Sequence, residues 1–205
     1  MRYHFFLETY ETERLKVVSV WSFFRHAELG VRPHPTDVRG RSVLEHMVHQ
    51  CISEDNWFKN FFGIDVDAPP LPANQDRRGF ITRYWEDSGK RLAALRATDN
   101  AFWEQEVTFF DAPRSRAWIM MRRIAHTAHH RGQQMAMLRM LNRDIHSNYG
   151  PTADTGEKVV YAYTEERGGQ TTLPQMDNGD STNSMHSGQN GLSPFLHRLL
   201  EKLDS

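Results

Sequence analysis

The sequence predicts an all-α protein: a four-helix bundle followed by an irregular C-terminal extension and a short terminal helix. Three observations predict it. Four long segments carry apolar residues at helical spacing. Glycine and proline clusters punctuate the chain between them. No confident set of strands competes with the helices. At 205 residues, with 39% hydrophobic and 25% charged residues, the chain is long enough to bury a full core without staples.

The first segment runs roughly from Tyr3 to Leu29, with Phe6, Tyr10, Leu15, Val18 and Trp21 close to one face, and ends at Gly30 and Pro33-His34-Pro35. The second begins at Ser42, an N-cap with Glu45 at the capping-box spacing. It continues through an apolar arc of Leu44, Met47, Val48, Cys51, Ile52, Phe58 and Phe62 and stops at Gly63. Residues 64–75, with Pro69, Pro70 and Pro72, form a loop that a regular helix cannot enter. The third helix spans about Arg77 to Arg96. Residues 99–113 read either as a short hairpin or as an aromatic-rich loop over the bundle mouth. The fourth helix spans about Arg114 to Leu141 and is apolar almost all round, which predicts burial on several sides. The bundle domain is therefore placed at residues 1–150. Residues 151–205 form the extension, with a polar, linker-like stretch at 164–191 and an amphipathic helix at 193–203.

Charge and cysteine content remove several function classes. A net charge of −1 and scattered arginine pairs give no basic face, so neither nucleic acid nor a membrane surface is an expected partner. No apolar run exceeds five residues, against the roughly 18 of a spanning helix. A single cysteine, Cys51, excludes an internal disulfide framework, and the apolar stretch near Met1 is too short for a secretory signal. A cytoplasmic location is the expectation.

The chemistry concentrates in the histidines, of which there are 11. His126 and His130 stand four apart on the fourth helix, on one stripe, the spacing at which two imidazoles grip one ion. Taken alone, such a pair is weak evidence. On so apolar a helix it carries more weight, because two buried imidazoles without partners cost free energy that a shared metal relieves. His129 lies about 60° off the stripe. The second helix offers His46 and His49, on opposite flanks of its apolar arc, and periodicity does not choose between them. One of the two would complete a three-histidine site across the bundle, leaving a coordination position open as catalytic zinc sites do. Cys51 points about 160° from His49, toward the core.

The string His126-x-x-His129-His130-Arg131-Gly132-Gln133, followed by Leu138-Arg139, resembles the DinB/YfiT-like family of damage-inducible, metal-binding four-helix proteins. Upstream, Ser42, His49, Glu54 and Trp57 fall into that family's register, and the likeness covers roughly residues 3–150. The resemblance implies a DinB/YfiT-like bundle with one divalent metal, zinc or nickel, held by His49, His126 and His130. His46 is the alternative to His49, because Val43-Leu44-Glu45-His46-Met47 mimics the context of the family's first ligand. Glu54 is a candidate partner of the ligands or a general base, weighed against an ordinary ion pair. The resemblance implies metal binding more firmly than a reaction. The expected activity is a metal-dependent transferase, using a low-molecular-weight thiol, or a hydrolase, acting on a small-molecule substrate. The alternative is a non-catalytic, metal-stabilised bundle that dimerises or binds a partner. Relatives' dimers make a homodimer the expected assembly.

Overall fold

The structure is a computed structural model in which residues 2–143, 145, 148, 200, 201 and 203 are described. The chain divides into two compact units, Met1–Arg143 and Asp144–Ser205, ahead of the Gly150-Pro151 break. The first unit holds the bundle. The expected linker at 164–191 and most of the expected terminal helix at 193–203 lie outside the described residues.

Four long helices dominate this unit: α1 (His4–Phe23), α2 (Val43–Trp57), α3 (Arg77–Arg96) and, last in the chain, α5 (Arg116–Met140). Between α3 and α5 lie a short helix α4 (Asn100–Glu104) and a hairpin of β1 (Glu106–Phe109) and β2 (Ala112–Ser115). No helix among the described residues is long and apolar enough to cross a membrane.

Local chemistry sets the boundaries. Helix α1 ends at Phe23, short of Leu29, because Phe24 turns extended. The Arg25 backbone N–H then donates to Glu28 Oε2 (2.7 Å) and starts a separate 3-10 turn over His26–Glu28. At the start of α2 the Ser42 hydroxyl accepts from Glu45 N–H (3.2 Å) while the Glu45 carboxylate accepts from Ser42 N–H (2.8 Å), a reciprocal cap. The helix widens into a π turn over Phe58–Phe62, and Gly63 closes it at φ 67°, a left-handed conformation that suits glycine. Arg114 and Ser115 belong to β2, so α5 begins at Arg116, capped by Ser115 Oγ accepting from Trp118 N–H.

Contacts fix the directions. Between α1 and α3, Glu11 pairs with Arg96, Arg14 with Ser88, and the Ser22 carbonyl with Arg77, so these two are antiparallel. Between α2 and α5, His46 faces His130, His49 faces His126 and Ser53 faces Arg123, again antiparallel. Glu13 meets Arg131 and Trp21 meets Gln134, so α1 and α5 are parallel. The order is therefore up-down-down-up, and residues 63–76 carry the chain back along the bundle between the parallel α2 and α3. An extended segment of that length reaches roughly 45 Å, and α3 is roughly 30 Å long. The prolines suit this crossover, and Arg83 fastens it by donating to the carbonyls of Pro69 and Pro70.

One end of the core is aromatic and aliphatic, built from Phe6, Leu7, Tyr10, Phe58, Phe62, Trp103, Ile119 and Met120. The middle is more polar than the apolar arcs suggest. Glu13, Arg14, Lys16, Glu54, Asp87, Arg91, Arg123 and Arg131 are all buried. Buried charges persist only with partners: Glu13 pairs with Lys16 (3.2 Å) and Arg131, Asp87 with Arg83, Arg91 with Asp55 (3.0 Å), and Arg123 with Glu54 (3.3 Å), while Arg14 donates to Ser88 Oγ (2.8 Å) and the Trp85 carbonyl (2.6 Å). The burial of α5 expected on several sides does not extend to one flank. Trp118, Met121 and Met140 are exposed, because the other three long helices and the hairpin leave this flank uncovered.

Candidate metal centre

Ser42 caps the start of α2 and Ser115 that of α5, and the antiparallel packing of the two helices turns their histidines toward each other. His49, His126 and His130 each offer a ring nitrogen, and these atoms lie within 4.8 Å of one another. His126 Nε2 stands 3.2 Å from His130 Nε2 and 3.5 Å from His49 Nε2. Two nitrogens about 2.05 Å from a tetrahedral cation are about 3.3 Å apart, so the two pairs that include His126 stand close to ligand spacing. His129 is exposed and bonds Gln133 (3.1 Å); its ring centroid is 5.1 Å from that of His130, but it is outside the three-nitrogen group. His46 is buried, its ring centroid 5.3 Å from that of His130, and it is outside the three-nitrogen group. Its Nδ1 and that of His130 have no hydrogen-bond partner among the described residues.

Burial keeps the imidazoles neutral. It lowers His126 to about 4, helped by Arg123, and His130 to about 3, helped by His126 and His49. His49 is lowered by burial and by the charges of Arg41 and Arg123. His46 falls to about 4, again by burial and then Arg41. At neutral pH, protons therefore do not compete for the lone pairs that a cation needs. Cys51 is buried on the core side, and burial pushes its thiol up to about 12, so no thiolate enters the set.

Glu54 lies behind the histidines, fully buried, and its two oxygens are occupied. Oε1 accepts from Tyr10 (2.5 Å) and Arg91 (3.4 Å), and Oε2 from Tyr84 (3.0 Å) and Arg123 (3.3 Å). Its link to the site is Arg123, whose Nη1 also donates to Ser53 Oγ (2.8 Å) and His126 Nδ1 (3.3 Å). A guanidinium only donates, so with Arg123 in this position a neutral His126 carries its hydrogen on Nε2. Ligation through Nε2 requires that hydrogen on Nδ1, and the contact from Arg123 then has to open. Ser53 and Glu54 remain as acceptors for the guanidinium. Sequence reasoning passed over Arg123, although it sits three residues before His126 on the same stripe.

The aromatic side of the site comes from the hairpin. Trp57 stacks on His126 (centroids 5.9 Å apart) and is propped by Phe109 of β1 (5.2 Å). On the opposite flank of α2, a cleft of 530 Å³ opens beside His49, lined also by Arg41, Ser42, Leu44, Glu45, Val48, Ile52 and Gln75.

The sequence profile of the DinB family matches residues 30–165, well over half of the chain and including all three clustered histidines. The chain belongs to the DinB family. Membership and the three-histidine cluster together fit a metal-binding DinB protein. Two solved structures share the DinB fold with this chain. A DinB-like protein from Bacillus cereus ATCC 10987 superposes with a TM-score of 0.61 at 16% identity, covering 69% of this chain and 94% of its own. A DinB-like protein from Bacillus subtilis, YjoA, gives 0.55 at 13% identity, covering 68% and 94%. Among curated proteins nothing matches.

Proposed function

We propose that this DinB protein is a divalent-metal enzyme acting on a small molecule, with His49, His126 and His130 as ligands of one zinc or nickel ion. The observation that carries the reading is the convergence of three histidine ring nitrogens within 4.8 Å of one another, two of the pairs near tetrahedral ligand spacing, beside an open cleft. Three imidazoles leave a coordination position free for a reacting group. A cation held there supplies Lewis acidity and lowers the pKa of a thiol or a water molecule entering that position.

This chain's residues set the rest. His49 is both a member of the group and a wall of the cleft, so a small molecule in the cleft lies against the site. Trp57 covers His126 on the other side and limits approach from there. Glu54 is a positioning residue: both its oxygens already accept hydrogen bonds, and one of them keeps Arg123 anchored beside the site when the guanidinium releases His126 Nδ1 on ligation. With Cys51 buried, a thiol transfer takes its thiol from solution, which favours a low-molecular-weight thiol cosubstrate; hydrolysis takes water instead. A homodimer in the cytoplasm is the working form in this reading. The second reading, a metal-stabilised module that pairs with a partner, draws on the exposed Phe110, Trp118 and Met121.

Elemental analysis of untagged protein tests the ligand set. About one zinc or nickel per chain is expected, lost in His126→Ala and His130→Ala and retained in His46→Ala. Full occupancy in His126→Ala overturns the assignment. With metal bound, turnover of an electrophile by a small thiol, or of an ester, supports an enzyme; silence across both panels favours the module.

A further inference from the structure

The second helix carries an aliphatic strip that the core does not use. Leu44, Val48 and Ile52 recur every fourth residue, on one face of α2, yet Leu44 and Val48 are only half-buried and Ile52 is exposed. All three line the 530 Å³ cleft, a volume in the range of small-molecule sites. His49 stands in the same wall, and Arg41 lies just ahead of the helix.

Arg41 is a cation without its ordinary partner. Glu45, four residues on and the natural acceptor for it, feels its charge but makes its hydrogen bonds to other partners. One Glu45 oxygen takes Arg32 and the other takes the Ser42 backbone N–H (2.8 Å). Arg32 also donates to the Gly40 carbonyl (2.6 Å), which holds it on Glu45. Arg41 forms no hydrogen bond or ion pair with any described residue, while most other arginines of the bundle do. The cleft is thus lined by one imidazole of the three-histidine group, an aliphatic strip and the exposed guanidinium of Arg41. Ser42 and His49 are about 10 Å apart along the helix axis.

We propose that this cleft is the substrate subsite and that it takes an amphipathic anion: a metal-binding head beside His49, a short aliphatic middle on Leu44, Val48 and Ile52, and a terminal carboxylate on Arg41. A guanidinium fork matches one carboxylate in two parallel hydrogen bonds, which makes Arg41 a specificity determinant. The inference rests on the metal-site reading above.

Cobalt-loaded full-length protein provides the test, with 6-mercaptohexanoate and its neutral amide as probes. Loading is read by cobalt absorption, and ligand binding by the thiolate-to-cobalt band and by calorimetry. The wild-type protein is expected to bind the acid about tenfold more tightly than the amide, the fold-change that one modest ion pair contributes. Arg41→Ala brings the acid down to the amide's affinity, leaving cobalt loading and amide binding unchanged, and Arg41→Lys keeps part of the preference. Equal affinities in the wild type, or a preference that survives in Arg41→Ala, overturn the inference while the metal site stands. Failure of the wild type to load cobalt removes the metal-site reading and this inference with it.

Discussion

His126 shows how one residue joins binding, protonation and packing. Its Nε2 faces two imidazoles, its Nδ1 takes a hydrogen bond from Arg123, and its ring lies under Trp57. Such a ring is held neutral by burial, and this has a consequence for stability. His46, His126 and His130 titrate near 4, 4 and 3 in the folded chain, against 6.5 for an exposed histidine. Between those values the unfolded chain binds more protons than the folded one, so stability rises with pH in that window. The protein without metal is expected to lose stability as pH falls from about 6.5 toward 4 and to be flat just above 7. Guanidinium midpoints at pH 7 and pH 5 check this, and an unchanged midpoint contradicts it. At this scale much of the site was legible, because His126 and His130 stand four apart on one helix. The choice between His46 and His49 was not legible from periodicity, since it depends on how α2 is rotated against α5.

Elements meet at Glu54. Its carboxylate accepts from Tyr10 of α1, Tyr84 and Arg91 of α3, and Arg123 of α5, so one α2 side chain binds the other three long helices. Glu54→Gln leaves Arg91 and Arg123 without a full counter-charge in the interior. The expected loss is about 3–5 kcal/mol of unfolding free energy, measured by denaturant titration. A change below about 1 kcal/mol would place Glu54 among surface-type pairs and detach it from the frame of the site. The sequence showed Glu54 in register with His49 and Trp57 but not its partners, which come from three other helices. The reciprocal cap at Ser42 was readable because it is local. The hairpin was ambiguous because its two-residue loop begins with Phe110 at φ 55°, where sequence signals lead one to look for glycine or asparagine. The aliphatic strip of Leu44, Val48 and Ile52 read as core because spacing does not reveal what lies opposite it.

For the whole bundle, the number of long helices followed from punctuation, whereas the end of α1 and the up-down-down-up order did not. Direction is set by long-range pairs such as Glu11–Arg96 and Trp21–Gln134, and the crossover occupies the proline segment at 63–76, not the longer connector before α5. That order sets α2 antiparallel against α5 and gives one site ligands from both. The most direct test of the three-imidazole centre is X-ray absorption at the metal edge of untagged, metal-loaded protein. The account predicts imidazole nitrogens at about 2.0–2.1 Å, with a reduced nitrogen shell in His130→Ala and an unchanged one in His46→Ala. A sulfur shell near 2.3 Å, or a spectrum with no imidazole scattering, contradicts it.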